Sequence, residues 1–185
     1  MATYINGRSE QALILEELKK LNNKQVSDSS ARSFGNKIFI VHGHDEAAKH
    51  KIARFIENLD LTATILDEQP SKGQTIIDKF EEHADEAGFA IVLLTADDVG
   101  APKDRTDALK PRARQNVILE LGYFLSGLGR DRVRILYEEG VELPSDIHGI
   151  IYVQMDERGA WKLELAQEMA SVGITVDMNK LLPNR

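Results

Sequence analysis

From Lys37 onward, short apolar runs alternate with stretches in which apolar residues recur every three or four positions. Short continuous runs suit strands buried on both faces, and the three-and-four spacing suits helices with one buried stripe. The alternation predicts an α/β domain with a parallel sheet covered by helices on both faces. Strands are expected at 38–42, 62–66, 89–95, 133–137 and 150–155. After the first strand, Asp45 is placed to cap a helix with Ile52, Phe55, Ile56 and Leu59 inward. Thr75 and Asp78 form a capping pair for a second helix, with Ile76, Ile77, Phe80 and Ala84 inward. Val117, Ile118, Leu121, Phe124, Leu125 and Leu128 make the stripe of a third, and Trp161, Leu165, Met169 and Val172 that of a last. Five strands so spaced fit a flavodoxin-like sheet in the order 2-1-3-4-5, whose ligands sit at the carboxyl ends of strands one and three.

Outside this pattern, residues 9–21 form a helix candidate capped by Ser9, with Ile14, Leu18 and Leu21 on one face. Residues 24–36 carry Ser27, Ser29, Ser30, Ser33 and Asn36 without periodicity and read as a linker. The division is therefore a helical arm and linker at 1–36, a domain at 37–173 and an unassigned tail at 174–185. Two connections within the domain are long and polar, 67–73 and 96–110, and long connections in compact domains often carry function.

Composition narrows the chemistry. The 185 residues contain no cysteine, which excludes disulfides, thiolate metal sites and a cysteine nucleophile. A net charge of −7 argues against a broad phosphate-backbone surface, so no nucleic acid partner is expected. Neither a charged-then-apolar leader nor an apolar run near the ~20 residues of a membrane helix is present, so a cytoplasmic protein without a membrane contact is expected. Gly-x-Gly-x-x-Gly and Walker loops are both missing, which removes ordinary dinucleotide redox chemistry and P-loop phosphate transfer. His42 and His44 point to opposite sides of an extended chain and have no companion ligand cluster, so no metal is expected. A receiver-type phosphoacceptor needs a lysine after strand five, where Met155 and Asp156 stand instead.

The segment 112–124 resists a purely structural explanation. Arg112 and Arg114 fall where the first helical turn is expected, although the helix dipole favours negative side chains there. Asn116, Glu120 and Tyr123 share a stripe beside the apolar one, which sets Glu120 at the edge of the core. Phosphate contact and pairing with Asp104 and Asp107 are the two readings of the arginines. By topology the loop His42, Gly43, His44 and Asp45 and the strand end at Thr95 meet the same crevice, although Gly43 also serves as a turn and Asp45 as a helix cap. A single carboxylate beside an anion-binding helix start suits cleavage of an N-glycosidic bond whose leaving group is already cationic, as nicotinamide is in NAD⁺. The usual pair of carboxylates exists because a sugar oxygen must be protonated as it leaves, and a neutral pyridine leaves unaided. Glu120 would then stabilise the oxocarbenium charge while the arginines and backbone N–H groups hold pyrophosphate.

The domain resembles the bacterial TIR-like (Toll/interleukin-receptor-like) nucleotide-binding family, some of whose members act in antiphage defence as NAD⁺-consuming effectors. The resemblance runs through Ile40-Val41-His42-Gly43-His44-Asp45-Glu46, Glu68-Gln69-Pro70, Val92-Leu93-Leu94-Thr95 with Asp97-Asp98-Val99-Gly100, Arg112 to Gly122, Glu138 to Asp146 and Trp161 to Ala166. It implies a TIR fold, Glu120 as the catalytic glutamate, NAD⁺ as substrate with no cofactor, and self-association through the loop 66–75. Two alternatives stay open. One is a non-catalytic TIR interaction module, and the other, from the Glu-Leu-Gly-Tyr segment at 120–123, is an enzyme similar to nucleoside deoxyribosyltransferases with a smaller pocket and no pyrophosphate contacts.

Overall fold

In the computed structural model, residues 36–65, 88–145, 147 and 149–181 are described. The expected helix at 75–84, the loop 66–75 and the arm up to residue 35 lie outside the described residues. The elements in chain order are β1 (Lys37–Val41), α1 (Glu46–Asn58), β2 (Thr62–Ile65), β3 (Phe89–Leu94), β4 (Asp98–Gly100), β5 (Lys110–Arg112), α2 (Gln115–Leu128), β6 (Val133–Tyr137), β7 (Ile151–Gln154) and α3 (Ala160–Ser171). Short 3₁₀ turns occupy Arg130–Arg132 and Met178–Leu181.

Every pairing in the main sheet is parallel, and its order is β2-β1-β3-β6-β7. With the small β4–β5 hairpin set aside, this is the flavodoxin-like order 2-1-3-4-5. The strands feed two cores because side chains alternate across a sheet. Ile38, Ile40, Ile91 and Leu93 face a core closed by α1 and α3, through Ile52, Phe55, Ile56, Trp161, Leu165 and Met169. Phe39, Val41, Val92 and Leu94 face the other, closed by Val117, Leu121 and Phe124 of α2. All six residues of β3 are buried, as expected of a central parallel strand with a helix on each side.

Asp45 caps α1 by accepting a hydrogen bond from the Ala48 N–H at 2.9 Å, which fixes where the chain leaves β1. Buried Arg134 on β6 is held by Glu168 of α3 at 2.6 and 3.0 Å and donates to the Arg130 and Val133 carbonyls, tying sheet to helix. Ile174, placed by sequence in the unassigned tail, is 4% exposed and belongs to the α1–α3 core. Among the described residues, no helix is long and apolar enough to cross a membrane.

The connection 96–110 departs from expectation. It contains β4, which pairs antiparallel with β5, and Arg112 is the last residue of β5 instead of part of a helix. Helix α2 begins at Gln115, with Arg114 extended at its N-cap. Strands of three residues carry no measurable periodicity, so the hairpin leaves no trace in the apolar pattern.

Candidate functional site

The sheet order reverses between β1 and β3, since β2 lies to one side of β1 and β6 to the far side of β3. A crevice opens there at the carboxyl ends of the strands. It holds a cavity of about 220 Å³ lined by Ile40, His42, Gly43, His44, Arg114, Asn116, Val117 and Glu120. Two segments build it: the turn leaving β1, and the first two turns of α2.

Each contribution has a local cause. Val117 and Leu121 anchor α2 in the core, and the helical spacing brings Asn116 and Glu120 together along one edge. Glu120 is half-buried and lines the cavity. Arg114 makes no side-chain cap, and the first backbone N–H groups of α2 have no partner within the helix, which leaves the cavity wall positive. The Arg114 guanidinium lies 2.7 Å from Nε2 and 3.0 Å from Nδ1 of His44, bridging the two segments across the mouth. A guanidinium only donates, so the His44 ring is the acceptor of this contact. His42 Nδ1 lies 2.8 Å from the Gly43 carbonyl oxygen and donates to it.

Gly43 permits a close approach. A Cβ placed on it would fall 1.9 Å from Oδ2 of Asp97. The same oxygen accepts the hydroxyl of buried Thr95 at 2.6 Å. Thr95 thus reaches the site indirectly, holding the Asp97 carboxylate against the backbone of the turn. Behind it, Glu138 accepts from the Ala96 N–H at 3.0 Å and fixes the start of the connection after β3.

Not every residue named from the sequence lies at the cavity. His42, Gly43, His44, Arg114, Asn116 and Glu120 line it together. Asp45 faces away as the α1 cap. Tyr123 packs edge-on against Phe124, with centroids 6.1 Å apart, at the rim of the α2 core. Arg112 lies over Gly100, where a Cβ would come 2.3 Å from its Cζ, so its guanidinium braces the hairpin instead of the cavity. Three participants were not named as site residues from the sequence: Ile40 and Val117 as apolar walls, and Asp97 as the support of Gly43. The Thr-x-Asp spacing at 95–97 and a glycine at the neighbouring strand end are signals that could have found the last.

The sequence model described as "CAP12/Pycsar effector protein, TIR domain" matches residues 37–157, more than half of the chain. The chain belongs to this TIR-domain family. It is 46% identical over 151 residues to the Escherichia coli K12 protein named "Uncharacterized protein YuaY", covering 82% of this chain and 50% of that protein. It is 32% identical over 132 residues to Protein tirC of Dictyostelium discoideum, covering 65% of each. It is also 40% identical over 79 residues to the Pycsar effector protein PaPycTIR of Pseudomonas aeruginosa, covering 42% of this chain and 25% of that one. The chain thus spans half of the first relative, 65% of the second and a quarter of the third. The flavodoxin-like architecture is that of a TIR domain, and the match includes both segments that line the cavity.

Proposed function

We propose that the protein is a TIR-type NAD⁺ glycohydrolase acting as an antiphage effector. The observation that carries the reading is the placing of the Glu120 carboxylate in one cavity with Arg114 and the start of α2. The family, and relatives named Pycsar effector proteins, support it. The C1′–N bond of the nicotinamide riboside breaks with its electron pair going to the pyridine nitrogen, so nicotinamide leaves neutral. Glu120 stabilises the positive charge on the ribose ring, and a water then adds at C1′ and releases a proton. In this reading His42 and Asn116 contact the ribose hydroxyls and Arg114 the pyrophosphate; that all three line the same cavity as Glu120 supports it.

The cavity of about 220 Å³ is smaller than the ~300–1,000 Å³ of sites that enclose a whole small ligand. It would take the nicotinamide–ribose end, leaving the adenosine outside for a neighbouring protomer to cover. Assembly through the loop 66–75 is part of the proposal. The test is nicotinamide release from NAD⁺ by wild type and Glu120→Gln at several protein concentrations. Release that rises more than linearly with concentration and disappears in the variant is expected; no release, or equal rates in the two proteins, overturns the proposal.

A second reading draws on the same small cavity and on the position of Arg112 outside it. Both suit a nucleoside deoxyribosyltransferase-like enzyme, in which Glu120 attacks the sugar. Base exchange between deoxynucleosides without nicotinamide release would select it.

A further inference from the structure

A different surface lies on the face of the sheet opposite α2. The exposed side of α1 and the first turn of α3 line an open groove of about 540 Å³, with His50, Lys51, Arg54, Phe55 and Lys162 on its walls. Phe55 packs edge-on against buried Trp161, with centroids 5.1 Å apart. From two different helices, Lys51 Nζ lies 5.5 Å and Lys162 Nζ 5.6 Å from the centroid of that same ring. The indole N–H makes no hydrogen bond among the described residues, so core packing holds the ring beneath the two cations.

A cation over an aromatic face is positioned without being neutralised. Among the described residues, no carboxylate pairs with Lys51, Arg54 or Lys162. Of the two acids on α1, Glu46 is 2.6 Å from Lys49 and 3.6 Å from His50, and Glu57 makes no ion pair with Lys51, Arg54 or Lys162. Three permanent positive charges therefore converge on one groove in a chain of net charge −7. Lys51, Arg54 and Asn58 follow helical spacing along about 10 Å of α1, which makes the charged wall long and narrow. Its floor is apolar where Phe55 and Ala47 meet it.

We propose that this groove docks an acidic segment of a partner protein. Carboxylates of the segment lie on Lys51, Arg54 and Lys162, and an apolar side chain rests on Phe55. An open, elongated groove suits an extended or helical segment better than a small molecule, which needs enclosure. The net charge of −7 disfavours a nucleic acid as the occupant. Neither the cavity at Glu120 nor any activity there is required.

The test uses the full chain and a fluorescein-labelled peptide of about ten residues, rich in glutamate with a central leucine pair, followed by fluorescence anisotropy. Saturable binding is expected, weakened at least about fivefold in Lys51→Glu/Arg54→Glu/Lys162→Glu and unchanged in Lys103→Glu, a charge reversal in the exposed 96–110 connection. Replacing the leucines by serine is expected to weaken binding to wild type only. Thermal melts of the variants verify that folding is intact, as expected for exposed positions. Equal peptide binding by the triple variant overturns the proposal. Tripolyphosphate binding that depends on the three cations while the peptide fails to bind assigns a small anion and also overturns it. So does a dimer lost in the triple variant without peptide binding, which assigns a second copy of this chain.

Discussion

The contact between Gly43 and Asp97 makes a quantitative prediction. In Gly43→Ala the new methyl meets Asp97 Oδ2 at 1.9 Å and Cγ at 2.8 Å, so the carboxylate has to swing away. Its hydrogen bond from Thr95, 2.6 Å long with the threonine 2% exposed, is then lost and the hydroxyl is left without its acceptor. A hydrogen bond to a charged group contributes about 1.5–3 kcal/mol, so the substitution is expected to cost about 2 kcal/mol. For a chain of this size that is a fall in Tm of roughly 4–8 °C. Asp97→Ala should cost a similar amount for the same lost bond, yet it also empties the space the methyl needs. Gly43→Ala introduced into Asp97→Ala should therefore be nearly silent, giving a coupling of about 2 kcal/mol in a double-mutant cycle. The single tryptophan, Trp161, reports urea unfolding by fluorescence. Costs that add within about 0.5 kcal/mol would refute the argument, because independent sites are expected to add to that degree.

Further predictions concern other parts of the molecule. Glu168→Ala strands the buried Arg134 guanidinium and should cost about 3 kcal/mol in urea, whereas Arg134→Met/Glu168→Leu should recover most of it. Partial desolvation raises the Asp156 carboxyl, but the backbone N–H groups of Trp161, Ala160, Gly159 and Arg158 outweigh it and hold the group below its ordinary 3.8. A lowered folded value means stability present above 3.8 and lost as pH falls through the folded value, so the Tm gap between wild type and Asp156→Ala should close in acid. On the proposed NAD⁺ reading, Arg114→Ala should raise KM several-fold in a nicotinamide-release assay. Arg112→Ala should leave KM unchanged and lower Tm, because its guanidinium braces Gly100.

The sequence determined the sheet and much of the placing of the cavity. Continuous apolar runs at β1 and β3 mark strands buried on both sides, and the stripe Val117, Leu121, Phe124 marks the helix whose edge carries Glu120. Asp45 announces the start of α1 because a cap is a local hydrogen bond, complete within three residues. Such features are legible because chain neighbours alone create them. Tertiary structure decided the rest. The β4–β5 hairpin depends on pairing across nine intervening residues, and it carries Arg112 away from the crevice that Arg114, two residues on, still lines. The Asp97 carboxylate reaches Gly43 only because β1 and β3 are neighbours in the sheet, and His44 meets Arg114 across 70 positions of sequence for the same reason. Periodicity records which side of an element is buried; which element lies opposite is fixed by the packing of the whole sheet, and there the two arginines part company.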